Sequence, residues 1–207
     1  MTAATATSMA TYDKEARDYA ALTGTYREYP GLDDEVAEFD RRAPAGAVLD
    51  AGCGAGRDSA RLALLGRRVL ALDVSGGLLR LAAARGDLGP PGAVAFVRGD
   101  LMALPCAPDR LAGIWACAAL VHVPRGLHGQ VLAAAVQCLV PGGVLAVSMK
   151  SGARDELSEG GSAKGPRWLC EAWPGDICDV MVAAGLEGVE AVASGRGTWY
   201  VASGARR

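Results

Sequence analysis

The sequence predicts one α/β domain on a doubly wound, mostly parallel seven-stranded sheet with an antiparallel hairpin at its C-terminal end. Three observations carry that expectation. Short apolar runs alternate with helical patterns of about ten to fifteen residues, an order that calls for parallel strands joined by right-handed crossovers. Three glycines at alternate positions, Gly52, Gly54 and Gly56, stand between the first apolar run and the first helical pattern of that series. The last two apolar runs, 188–193 and 197–202, are spaced for a hairpin rather than for another crossover.

A chain of 207 residues buries one substantial core, and no linker-like break in composition divides it. Within the single domain, residues 1–45 are expected to form a helical cap and 46–150 a ligand-binding core. Residues 151–207 are left for a lid loop, a last helix and the final strands.

In order along the chain, Ala47-Val48-Leu49-Asp50 reads as the first strand. Ala60, Leu62, Ala63 and Leu65 are the inner positions of the helix that runs on to Gly66. Residues 68–72, ended by Asp73, form the second strand; Ser75 then caps a helix whose inner face carries Leu78, Leu79, Leu81 and Ala82. Residues 93–97 give the third strand. The continuous apolar run 111–117 gives the fourth, of the kind expected where both faces of a parallel sheet are covered. Leu127, Val131, Leu132, Ala135 and Leu139 recur at helical spacing until Pro141-Gly142-Gly143 breaks the pattern, and 144–149 is the fifth strand. The polar, glycine-rich stretch 152–165 reads as a loop and a candidate lid. A last helix runs from Asp176 through Val180, Met181 and Ala184 to Gly185. Upstream of the sheet, Leu32, Val36 and Phe39 mark one amphipathic helix and 12–22 reads as another, both placed to cover a ligand, with 1–10 as a loose tail.

Half of the residues (51%) are hydrophobic, which excludes a disordered chain. A net charge of -2 with no long Lys/Arg run argues against nucleic acid or an anionic membrane as partner and for a small molecule. Residues 1–10 have no basic residue ahead of an apolar stretch, so no secretory signal is expected. The longest apolar run, 111–124, is interrupted by Gly113 and His122 and is shorter than the roughly 20 residues of a membrane span. A cytoplasmic protein is the expectation, and a homo- or hetero-oligomer is compatible with it. The six cysteines (53, 106, 117, 138, 170 and 178) show neither metal-ligand spacing nor a disulfide framework. Cys53, inside the glycine turn, suits a packing or backbone role better than that of a nucleophile.

The chemistry centres on Asp50-Ala51-Gly52-Cys53-Gly54-Ala55-Gly56. Missing Cβ atoms allow a tight turn and close approach of a ligand, and Asp73 ends the next strand where a carboxylate can accept both hydroxyls of a ribose. A dinucleotide site wants a further glycine where Arg57 stands, so that a helix N-terminus can meet a pyrophosphate. Asp50 suits a ligand with an ammonium group instead. A nucleoside carrying an amino acid fits these charges.

The stretch from Val48 to Ser59 resembles the first motif of the class I S-adenosylmethionine-dependent methyltransferases. The likeness extends over roughly 12–149, through Ala71-Leu72-Asp73-Val74-Ser75, Gly99-Asp100-Leu101, Leu120-Val121-His122-Val123-Pro124-Arg125 and Leu139-Val140-Pro141-Gly142-Gly143-Val144. The resemblance implies the Rossmann-like fold of that family and S-adenosylmethionine as cofactor, with methyl transfer to a small molecule, possible also within a biosynthetic pathway, as the reaction. It implies that Asp50, Ala51, Gly52, Cys53 and Gly54 hold the methionyl end, that Asp73 and Val74 serve the ribose, and that Asp100 and Leu101 meet the adenine. Ala116 and Cys117 would line the sulfonium. Arg57 and Asp58 meet the cofactor's amino acid, pack on the N-terminal helix, or form an exposed helix start.

The acceptor is expected over the carboxyl ends of the fourth and fifth strands. His122 stands there either as a general base or as a histidine that bonds its loop. Arg125 and Lys150 are candidates for a substrate carboxylate, phosphate or sulfate, or are solvated charges. Tyr12 and Tyr19, seven apart on one helical face, close over the donor or simply pack. At most one of Trp199 and Tyr200, adjacent in the last strand, sees the pocket. Trp168 and Trp173 flank the suspected lid. The alternatives are a methyltransferase fold turned to cyclisation or elimination, or a subunit that needs a partner chain, since an intact nucleotide pocket shows binding and not transfer.

Overall fold

A computed structural model describes residues 1–159 and 163–207. Its strands are β1 (Val48–Ala51), β2 (Val69–Asp73), β3 (Val94–Arg98), β4 (Leu111–Cys117), β5 (Leu139–Lys150), β6 (Asp155–Ser158), β7 (Arg167–Cys170), β8 (Leu186–Ala193) and β9 (Trp199–Arg206). The helices are α1 (Ala3–Lys14), α2 (Ala16–Thr23), α3 (Leu32–Arg42), α4 (Arg57–Leu64), α5 (Gly76–Ala83), α6 (His128–Cys138) and α7 (Pro174–Ala183). Seven strands form one sheet in the order β3-β2-β1-β4-β5-β9-β8. The first five are parallel; β9 runs antiparallel to β5 and to β8. The order reverses between β1 and β4, the place where doubly wound sheets open a crevice beyond the carboxyl ends of their strands.

Side chains alternate across the sheet, and both faces are covered. On one face Leu49, Ala51, Ile114, Ala116, Leu145 and Val147 pack with Leu132 and Ala135 of α6. On the other, Val48, Val69, Trp115, Val144 and Ala146 pack under Leu32, Val36 and Phe39 of α3. Trp115 is wholly buried, its ring 5.5 Å from that of Phe39. Burying such a side chain contributes about 2–3 kcal/mol, so this two-sided core fixes the frame of the site. Ser75 caps α5 as expected, its hydroxyl accepting from the Leu78 amide. Among the described residues no helix is long and apolar enough to cross a membrane.

Three expectations are corrected. Residues 1–10 are not a loose tail: Thr2 caps α1, which begins at Ala3. What local pattern did not show is tertiary pairing, since the Thr11 hydroxyl donates to the Pro166 carbonyl and the Trp168 amide donates to Ser8 Oγ. The stretch 152–165 is not a plain loop, because β6 pairs with β7 in a separate two-stranded antiparallel sheet, Asp155 opposite Cys170 and Ser158 opposite Arg167. The part of that expected loop at 160–162 lies outside the described residues. Finally, Pro141-Gly142-Gly143 does not end a helix ahead of a separate strand. Helix α6 stops at Cys138 and β5 runs through the triplet, with the register to β4 shifting between Leu111 and Gly113. A Cβ at Gly143 would stand 2.8 Å from the Val140 carbonyl oxygen, so this tight passage admits glycine alone.

Candidate functional site

Strand β1 delivers the chain to a turn in which Gly52, Gly54 and Gly56 all have positive φ, at 80°, 55° and 80°. The amides of Gly52 and Cys53 both donate to the Leu72 carbonyl, which ties the turn to β2. A Cβ at Gly52 would come within 2.5 Å of the Ala119 Cβ, whereas one at Gly54 would meet nothing within 4 Å. Gly52 is thus needed for packing, and Gly54 leaves space for a ligand against the backbone. The Gly54 amide donates to Asp73 Oδ2 and the Ser75 amide to Oδ1, each at 2.8 Å. Burial raises the Asp73 pKa above the usual carboxylate range, and these backbone donors offset part of that rise.

From Asp73 a narrow cleft of about 100 Å³ runs past Val74, Leu78 and Leu101 to Asp100. Asp100 Oδ1 accepts from the Met102 amide. Its buried Oδ2 has no hydrogen-bond partner among the described residues, the Met1 ammonium standing 3.6 Å away. A carboxylate oxygen left without a hydrogen bond fits a ligand that brings an N–H donor, as an adenine amino group does.

Below the glycine turn, Asp50 and Asp58 are both buried and hold opposite states. Burial and the charge of Asp58 push Asp50 up to about 8, although the Ser59 hydroxyl donates to it. For Asp58 burial acts the same way but is outweighed. Arg57 pairs with it at 2.7 Å, and Trp115 Nε1 and the Tyr26 hydroxyl each donate at 2.9 Å, which lowers its pKa. The Arg57 guanidinium also lies over the rings of Tyr26 and Tyr29 and donates to the Thr23 carbonyl. Arg57 and Asp58 are therefore no exposed helix start: they fasten the segment between α2 and α3 to the sheet.

The cleft opens into a larger cavity of about 650 Å³. Tyr12, Tyr19, Gly52, Gly54, Cys117, Ala118 and His122 line both. His122 Nδ1 lies 2.8 Å from the Trp168 carbonyl oxygen, which only accepts, so Nδ1 carries the proton and Nε2 accepts from the Tyr12 hydroxyl at 2.9 Å. Burial lowers the His122 pKa to about 4; the bond to Trp168 works against this and the Arg167 charge adds to it. The imidazole is neutral at pH 7. Burial likewise lifts the Tyr12 phenol to about 12, and Tyr19 packs edge-on against its ring.

The structure places most of the expected residues at these two spaces: Asp50, Gly52, Cys53, Gly54, Arg57, Asp73, Val74, Asp100, Leu101, Cys117, Tyr12, Tyr19, His122, Lys150 and Trp199 line one or the other. Lys150 is half-exposed and paired with Glu171 at 2.9 Å. Trp199 lies under the Arg196 guanidinium, while its neighbour Tyr200 turns to the opposite face and donates to the Ala172 carbonyl. Three assignments are corrected. Ala51 and Ala116 point into the α6 side of the core, as the alternation of β1 and β4 dictates. Arg125 holds the Ala153 and Glu171 carbonyls outside both cavities and so braces the hairpin rather than a ligand. Missed by sequence reasoning were Tyr26, Tyr29, Arg167 and Arg196. Only an unbroken search for aromatic and cationic residues outside periodic segments would have raised them.

Residues 48–143 match the methyltransferase domain family. Over that segment the chain carries a methyltransferase domain similar to those of the class I S-adenosylmethionine-dependent methyltransferases. Among curated relatives, the methyltransferase GfsG of Streptomyces halstedii is 38% identical over 103 residues, 49% of this chain and 36% of that protein. The chain spans 36–56% of the length of the curated relatives it matches. Among solved structures, the CcbJ methyltransferase from Streptomyces caelestis superposes with a TM-score of 0.70 at 21% identity, over 86% of this chain and 89% of that one. The [4+2]-cyclase SpnF does so with a TM-score of 0.74 at 16% identity, over 96% and 94%. At such identities these structures speak for the fold.

Proposed function

We propose that the protein transfers the methyl group of S-adenosylmethionine to a nucleophile on a small-molecule acceptor. The observation that carries this reading is the junction: a narrow cleft with carboxylates at both ends opens, at Tyr12, Cys117 and His122, into a larger cavity with room for a second molecule. Bound there, the donor supplies a sulfonium methyl that needs no further activation. On this reading Asp73 accepts from ribose hydroxyls, Asp100 Oδ2 accepts from the adenine amino group, and Asp50 gives up its proton to pair with an ammonium beside the Gly52–Gly54 backbone.

The chain's own contribution is mostly to position and to exclude water. An acceptor N–H or O–H can pass its proton to Tyr12 Oη as the Tyr12 hydroxyl proton moves to His122 Nε2, with Trp168 fixing the tautomer. Six free cysteines support a reducing, cytosolic setting. The test is incubation with S-adenosylmethionine deuterated on the methyl and a panel of small amines, alcohols, thiols and carboxylic acids, read by mass spectrometry. The label should leave with an acceptor as S-adenosylhomocysteine accumulates. Turnover of an acceptor with the donor intact would replace this reading by cyclisation or elimination.

A further inference from the structure

Arg167 opens β7 and lines the larger cavity, yet only 4% of its surface is exposed. Its Nη1 donates to the Ala163 carbonyl, and its buried Nε has no acceptor among the described residues. The other cations of that cavity are matched: Arg57 by Asp58 at 2.7 Å, Lys150 by Glu171 at 2.9 Å and Arg196 by Glu35 at 2.6 Å. Even the half-exposed Arg154 has Glu156 at 3.9 Å and Glu171 at 4.0 Å. Arg167 takes part in no ion pair among the described residues, and the remaining three, Gly160, Gly161 and Ser162, carry no carboxylate. Its positive charge bears on Tyr12 and His122, two groups that are neutral at pH 7. A guanidinium enclosed without a counter-charge destabilises the fold, and burial of this kind persists where a ligand brings the anion.

We propose that Arg167 seats an oxyanion of the acceptor, a carboxylate, sulfate or phosphate, beside the Tyr12–His122 pair. The proposal rests on the reading that the donor fills the cleft between Asp73 and Asp100. The planar guanidinium takes such a group through paired hydrogen bonds and so orients the acceptor toward the junction. The donor's own carboxylate is the rival source of an anion. Asp50, read here beside the donor's amino-acid end, lines the same cavity, so competition with S-adenosylhomocysteine separates the two sources; the acceptor is favoured because the Arg167 charge bears on Tyr12 and His122.

The experiment titrates malonate and sulfate into the S-adenosylhomocysteine-saturated protein, followed by thermal unfolding and calorimetry. Wild type should bind them saturably with its S-adenosylhomocysteine affinity unchanged. Arg167→Gln should lose roughly tenfold or more of anion affinity while holding S-adenosylhomocysteine within about threefold, and Arg167→Lys should keep a weakened response. Absence of any anion response in wild type overturns the proposal. So does an Arg167→Gln protein that loses S-adenosylhomocysteine but responds to anions as before, or malonate that competes with S-adenosylhomocysteine on wild type. If Arg167→Gln fails to fold, the wild-type competition and the lysine variant decide. If wild type binds no S-adenosylhomocysteine, the donor reading falls separately, and the same anion titration on the unloaded chain still decides the role of Arg167.

Discussion

The two walls of the site are built differently. The donor wall is made by backbone geometry within a short stretch of chain: a glycine turn at β1, its anchor Asp73 at β2, and Asp100 just beyond β3. The acceptor wall is assembled across the whole sequence, because Tyr12 reaches His122, Trp168 reaches Ser8 and Pro166 reaches Thr11. The first wall has its donors and acceptors fixed by turns. The second hangs on side chains from the N-terminal helices and the β6–β7 hairpin, which is where acceptor specificity can change without disturbing the donor.

Asp58 joins the two walls, so its loss should have the largest effect. Asp58→Ala leaves Arg57 buried without its carboxylate and frees Tyr26, and should lower stability by about 3–5 kcal/mol in urea unfolding. A loss below about 1 kcal/mol would show that the walls are fastened elsewhere. Gly52→Val tests the donor wall alone. A side chain at φ 80° against Ala119 should cost about 2–4 kcal/mol and abolish S-adenosylhomocysteine binding.

Proton linkage separates the walls by sign. His122 has a folded pKa of about 4 against an ordinary 6.5, so as pH falls through that window the unfolded chain takes up the proton first. The acceptor wall should lose stability from pH 6.5 down to 4, by on the order of 2–3 kcal/mol, read as the difference between wild type and His122→Gln. Asp50 runs the other way. Its pKa is raised to about 8, so the folded state keeps a proton that the unfolded chain has released, and stability should fall as pH rises from about 4 to 8. The difference between wild type and Asp50→Asn should carry that slope in the ligand-free protein. The smallest effect is expected from Tyr12→Phe, about 1 kcal/mol in stability from one lost hydrogen bond, with S-adenosylhomocysteine affinity retained and turnover reduced.

The donor wall was legible in the sequence because its information is local. Glycine at alternate positions and an acid at the end of β2 follow from spacing and strand ends, and Asp100-Leu101 after β3 follows from the family resemblance. Even there, period-two alternation turns Ala51 and Ala116 away from the ligand, which strand assignment alone could have foretold. The acceptor wall was legible only in single residues such as Tyr12 and His122, because no local pattern in 1–10 or around 152–170 shows that α1 and β7 complete each other. Arg167 follows directly on a stretch whose glycines and polar residues read as loop, and only its pairing with Ser158 makes it an inward residue of a hairpin.

The central claim is that the cleft between Asp73 and Asp100 is a site for S-adenosylmethionine, and calorimetric titration tests it most directly. Wild type should bind S-adenosylmethionine and S-adenosylhomocysteine but not NADH, and Asp73→Ala should weaken both by roughly 10- to 100-fold, the value of a charged hydrogen-bond acceptor. Binding of NADH in preference to either sulfur nucleoside, or equal affinity in wild type and Asp73→Ala, would contradict it.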